Sequence, residues 1–152
     1  MFKINVDGAT LESGKNSSVE VVIRDAPSNI IAACCKYHKG RYLVDEVEAL
    51  AMECGLLLAK EQMLPHIILE SDALTAVSSV LAAKNDGCLG HIYQGILSLL
   101  ASFSSWKIKH VRRDYNKATH VIAQYARQKE FSPVWIGVCP PLLNEVIQKD
   151  CM

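Results

Sequence analysis

No stretch of the sequence approaches the ~18 consecutive apolar residues of a membrane-spanning helix, and no basic segment followed by an apolar run opens the chain. Neither a transmembrane segment nor a signal peptide is therefore expected. An excess of charge of one sign is also missing: Lys+Arg and Asp+Glu number 16 each. That balance excludes strong indiscriminate attraction to phosphate backbones, so any contact with nucleic acid has to come from a local patch. The six cysteines, at 34, 35, 54, 88, 139 and 151, show no CxxC or Cys/His ligand spacing. They read as free thiols, which implies a reducing intracellular compartment, nucleus or cytoplasm, rather than a disulfide or zinc framework. Internal repeats, low-complexity runs and domain linkers are absent as well. One domain over 1–130 is expected, followed by a proline-containing tail over 131–152 (Pro133, Pro140, Pro141) with a short helix from Leu142 to Gln148. A monomer that does not engage membranes is the expectation.

What is present is a globular composition, 50% hydrophobic and 21% charged, with clear periodicity. Phe2, Ile4 and Val6 alternate with Lys3, Asn5 and Asp7, a strand with one buried face that is expected to stop at the Asp7-Gly8 turn signal. Val19–Arg24 and Ile30–Tyr37 follow as strands across short turns, so three consecutive antiparallel strands are predicted. From Val44 to about Gln62 the period becomes helical, with Val47, Leu50, Ala51, Cys54, Leu57 and Leu58 as the apolar stripe. His66–Asp72 reads as a strand, Ala73–Ala83 as a helix, His91–Phe103 as a third helix and Trp106–Arg112 as a strand. A fourth helix starts at Asn116 with Val121, Ile122, Tyr125 and Ala126 inward. Strand, helix and strand in succession make this half of the sheet parallel.

Three carboxylates stand out. Asp7 ends the predicted first strand, at the rim where open α/β sheets place chemistry, although an Asp before Gly also caps turns. Glu48 has Val44, Ala51 and Met52 as its helical neighbours, a setting in which a carboxylate needs a partner unless it reaches water at the stripe's edge. Asp72 lies between the end of a central strand and a helix start, where it equally reads as an N-cap. Lys107, Lys109, Arg112 and Arg113 form the candidate basic patch, or a solvated strand end.

The ordered segments Ile4-Asn5-Val6-Asp7-Gly8-Ala9, Val22-Ile23-Arg24-Asp25, Val47-Glu48-Ala49-Leu50-Ala51, Gly55-Leu56, Glu70-Ser71-Asp72 and His110-Val111-Arg112-Arg113 with Asn116 resemble the motifs of plant ribonuclease H-like domains related to reverse transcriptase. The resemblance spans about residues 2 to 130. It implies an α/β ribonuclease H-like fold, a mixed five-stranded sheet with helices on both faces. It also implies hydrolysis of the RNA strand of RNA–DNA hybrids by two divalent ions, Mg²⁺ or Mn²⁺, held by Asp7, Glu48, Asp72 and His120 as catalytic and metal-binding residues. Carboxylates suit such hard ions, and two ions would assist the attacking and leaving oxygens. Substrate contacts from Gly8, Ala9, Arg112, Arg113 and Asn116 are implied in the same way, with RNA recognised through its 2′-hydroxyls.

The chain departs from the family pattern at informative places. The fourth metal-site position, usually Asp, is His120 in Asn116-Lys117-Ala118-Thr119-His120, which removes one negative charge but leaves an imidazole able to ligate a metal. Ser18 and Glu20 stand where glycines are usual, so crowding of the sheet and repulsion of phosphate by Glu20 are expected. Weak affinity for hybrid or other nucleic acid is the expectation, and a noncatalytic nucleic-acid-binding or interaction domain that keeps the fold is the alternative. A first strand starting one residue after Met1 fits both a domain excised from a retroelement-type polyprotein and a truncated gene product.

Overall fold

The computed structural model describes residues 1–11, 14–113, 116–117, 119–122 and 134–137. Strands β1 (Phe2–Leu11), β2 (Asn16–Arg24) and β3 (Ile30–Lys39) precede helix α1 (Val44–Glu61). Then come β4 (His66–Ser71), α2 (Leu74–Leu81), α3 (Gly90–Ala101), β5 (Ser105–His110) and β6 (Val134–Ile136). The fold is α/β with one mixed sheet ordered β5-β4-β1-β2-β3-β6. β1, β2, β3 and β6 pair antiparallel, while β1, β4 and β5 pair parallel. None of the helices among the described residues is long and apolar enough to cross a membrane.

Alternation along the strands separates two apolar clusters, one on each face of the sheet. Ile4, Val6, Val21, Ile23 and Cys34 face α1 and α3 in the larger one. Val22, Ala33 and Cys35 meet Ile122 on the opposite face. Adjacent Cys34 and Cys35 thus part to opposite sides, as a strand requires. Cys34 touches Cys54 of α1, sulfur to sulfur at 3.9 Å, and none of the described cysteines is in a disulfide.

Two sequence expectations are corrected. The sheet has six strands rather than five. Val134–Ile136 pairs with β3, Trp135 packs on the second cluster, and Gly137 N–H donates to the Ile31 carbonyl at 2.7 Å. Three residues between Pro133 and Gly137 are too few for period-2 alternation to register against the surrounding prolines. The other helical residues expected at Tyr125, Ala126 and Leu142–Gln148 lie outside the described residues. The second correction is that β1 does not stop at Asp7-Gly8. It runs on to Leu11, paired with β2 from Lys3↔Arg24 to Leu11↔Asn16. Gly8 marks a close approach of two backbones, not a turn.

That approach docks α1. A Cβ on Gly8 would lie 2.6 Å from the Val47 carbonyl oxygen, and one on Gly55 would lie 2.5 Å from Val6 Cγ1. A glycine on the strand and a glycine on the helix therefore let α1 lie against β1. Gly8→Ala is expected to destabilise the protein by about 2 kcal/mol or more, read as a lowered urea midpoint at unchanged slope, because the obstructing atom is backbone rather than a side-chain tip. An unchanged midpoint would show that α1 yields freely.

Candidate active site

Strand register brings the site together. β1 and β4 pair from Phe2↔Ile67 to Val6↔Ser71, so the next residue on each strand, Asp7 and Asp72, emerges side by side where the parallel pairing ends. β5 ends level with them at Ser71↔His110, and the Val111 N–H bonds to the Ser71 carbonyl at 2.9 Å, which aims 111–113 across the same rim. Val47 presses on Gly8, and this contact carries Glu48 to Asp7 from the helix side. Asn116 anchors the last element: its amide donates to the Val6 carbonyl at 2.9 Å, and the Thr119 hydroxyl donates to the Asn116 carbonyl at 2.7 Å. His120 follows, its N–H directed at the Asn116 carbonyl from the first turn of the helical segment.

These residues surround a cleft of about 550 Å³ lined by Asp7, Gly8, Ala9, Glu48, Asp72, Arg112, Arg113 and His120, together with Thr10, Val44, His110 and Val111. Of the expected site residues, only Asn116 does not line it; the Asn116 side chain is buried beneath the rim. Thr10 and His110 were not anticipated as site residues. His110 Nε2 lies 3.2 Å from the Asp72 carbonyl oxygen. Its signal was its place at the end of a strand, readable only once the register with Ser71 is known. Glu20, expected to repel phosphate, is fully buried opposite Asp7 in the β1–β2 ladder and does not line the cleft. Asp72 does not cap α2 either: that helix starts after Ala73 without a side-chain cap, and Ser71 Oγ instead accepts the Ala73 N–H at 3.1 Å.

The acids are strongly coupled. Asp7 Oδ1 accepts the Gly8 N–H at 3.0 Å. His120 Nδ1 lies 3.2 Å from Asp7 Oδ2, and its Nε2 lies 3.5 Å from Asp72 Oδ2. Burial, reinforced by the nearby Asp72 charge, pushes Asp7 up to about 6. Burial also drives Glu48 up to about 9, with Asp7 and then Asp72 adding repulsion. Burial acts on Asp72 in the same sense, but His120 and, more weakly, Arg113 outweigh it and hold Asp72 below the usual carboxylate range. Three acids so close cannot all ionise without a cation.

Among the residues lining the cleft, two buried side-chain atoms make no hydrogen bond, Glu48 Oε2 and His120 Nε2. One ligand atom each from Asp7, Asp72 and His120 falls within 4.8 Å of the others. Oxygen and imidazole donors with unused lone pairs, in a cleft where carboxylates repel, fit a divalent metal ion.

The sequence matches the reverse transcriptase-like family over residues 5–126. The chain belongs to that family. It is thus a ribonuclease H-like protein, as its ordered motifs implied. Solved structures agree on the fold. Ribonuclease H1 from the archaeon Halobacterium salinarum superposes with a TM-score of 0.77 at 22% identity, covering 84% of this chain and 98% of that one. The N-terminal ribonuclease H domain of a Mycobacterium tuberculosis protein gives 0.72 at 17% identity, covering 85% and 97%. LC11 ribonuclease H1, solved in complex with an RNA/DNA hybrid, gives 0.69 at 15% identity, covering 79% and 91%. Among curated proteins no sequence matches the chain.

Proposed function

We propose that this ribonuclease H-like chain hydrolyses the RNA strand of RNA–DNA hybrids, using divalent ions, Mg²⁺ or Mn²⁺, held by Asp7, Glu48, Asp72 and His120. The observation that carries the reading is the convergence of these four side chains, from four separate elements, on one cleft with two buried ligand atoms left unsatisfied. When bound, such ions neutralise the phosphodiester and make water a nucleophile near neutral pH. The protein's own residues supply the rest. Asp7 stands on a paired strand and Glu48 on a helix pressed against it, so the geometry is rigid. Arg112 and Arg113, exposed at the rim, attract the phosphates, while Gly8 and Ala9 line the cleft beside Asp7, where their backbone faces the substrate. Asn116 positions His120 through the Val6 carbonyl.

A second reading, a noncatalytic nucleic-acid-binding domain, draws on one observation: His120 already faces both Asp7 and Asp72, so the carboxylates have a counter-group without a metal. A labelled RNA–DNA hybrid, incubated with protein and millimolar Mg²⁺ or Mn²⁺, separates the two. Metal-dependent cleavage in the RNA strand is expected. Binding of hybrid with no cleavage under either ion would establish the noncatalytic reading instead.

A further inference from the structure

Resting on the metal-dependent reading above, the geometry points to a further property: we propose that the cleft selects a first-row transition ion, such as Mn²⁺ or Co²⁺, over Mg²⁺, and that His120 is the selecting residue. Three features support it. An imidazole that ligates a metal does so through one ring nitrogen and keeps its N–H on the other. Nδ1 lies 3.2 Å from Asp7 Oδ2, which accepts an N–H there, and this leaves Nε2, 3.5 Å from Asp72 Oδ2, as the ring nitrogen placed to ligate. The ligand atoms of His120 and Asp72 are close enough to serve one ion, with Asp7 beside them.

Nε2 is buried and makes no hydrogen bond. Independently of the Asp7, Asp72 and His120 cluster, Glu48 is 9% exposed and lines the cleft with Oε2 unpartnered. A site with an unsatisfied nitrogen and an unsatisfied carboxylate oxygen offers a mixed donor set rather than an all-oxygen one.

The third feature is the charge count. Asp7, Glu48 and Asp72 can supply three negative charges, and His120 supplies none where a fourth carboxylate would add one. Fewer charges weaken every divalent ion. Only an ion with affinity for nitrogen regains the loss through the imidazole bond, since Mg²⁺ prefers oxygen and holds its water tightly. His120 therefore separates the two classes from both directions.

Calorimetric titration of the metal-free protein with Mg²⁺, Mn²⁺ and Co²⁺ tests the proposal without substrate. Wild type is expected to bind Co²⁺ at least ~100-fold tighter than Mg²⁺, with Mn²⁺ between. His120→Asp is expected to narrow that ratio by roughly tenfold or more, chiefly by tightening Mg²⁺. The visible absorption of bound Co²⁺ should shift in the same variant as a nitrogen donor is replaced by oxygen. His120→Ala serves if His120→Asp does not fold, and should weaken Co²⁺ more than Mg²⁺. Equal ratios in wild type and variant, an unshifted Co²⁺ spectrum, or no heat with any ion would overturn the inference. Selective Co²⁺ binding without hybrid cleavage under any ion would sink the nuclease reading and leave selectivity standing. Cleavage supported by Mg²⁺ bound as tightly as Co²⁺ would do the reverse.

Discussion

Replacing Asp7 by Asn is expected to lower hybrid cleavage by roughly 10³-fold while raising the melting temperature of the metal-free protein. The two effects have one cause. Asp7 sits in the β1 ladder with 7% exposure, close to Glu48, Asp72 and His120, and its carboxyl is pushed up to about 6 because burial and the Asp72 charge disfavour ionisation. A neutral amide keeps the shape and the acceptor for the Gly8 N–H, and it removes a negative charge that burial and Asp72 disfavour. A gain of about 1 kcal/mol corresponds to about 2–4 °C in a domain of this size. The same amide is a poor ligand for a hard cation, so metal-dependent hydrolysis is lost. Cleavage rates with Mn²⁺ and melting curves in chelator check both halves. Wild-type cleavage rates would remove Asp7 from the chemistry, and a variant melting several degrees lower would make Asp7 a structural residue.

The metal-free protein should also lose stability as pH rises, the opposite of a protein held together by ionised carboxylates. Asp7 goes from an ordinary value of 3.8 to about 6, and Glu48 from 4.5 to about 9. Both folded values lie above the unfolded ones, so between them the native state binds more protons than the unfolded chain. The slope of unfolding free energy against pH is then negative. The stabilisation is fully present below the unfolded values and is lost as pH climbs through about 6 for Asp7 and about 9 for Glu48. Asp72, held low, works in the other sense, losing stability only as pH falls through its own depressed value. The Asp7 shift alone corresponds to about 3 kcal/mol, or about 6–12 °C in melting temperature across the window. Millimolar Mn²⁺ should flatten the decline, because a cation in the cleft favours the ionised acids and binds only the folded chain. Melting curves against pH, with chelator and with Mn²⁺, measure both. A flat profile in chelator would show that the acids are hydrated rather than coupled.

Periodicity carried much of the fold. The change from period 2 to period 3.6 at Val44 placed α1, and alternation along 30–37 placed Cys34 and Cys35 on opposite faces, because burial of an apolar face is a local pattern. The ordered acids at Asp7, Glu48 and Asp72, with His120 in the fourth position, came instead from the resemblance to ribonuclease H-like domains, and the structure brings all four to one cleft. Where local signals failed, the decisive contact was distant in sequence. Asp7-Gly8 reads as a turn in isolation, yet β1 continues through it to Leu11, since Gly8 answers the Val47 backbone some forty residues away. Val134–Ile136 becomes a strand only because the edge of β3 is free to pair with it.

By itself, then, the sequence determined the kinds and order of most elements, the inward faces and the identities of the candidate ligands. Tertiary structure alone decided that Asp7 and Asp72 emerge side by side, that Glu48 is buried with an unsatisfied oxygen, and that His120 turns one nitrogen to each acid. The reason is physical. Side-chain period follows from the backbone geometry of a few residues, whereas register, close approach and the proton affinity of a buried acid depend on which distant groups the folded chain sets beside it.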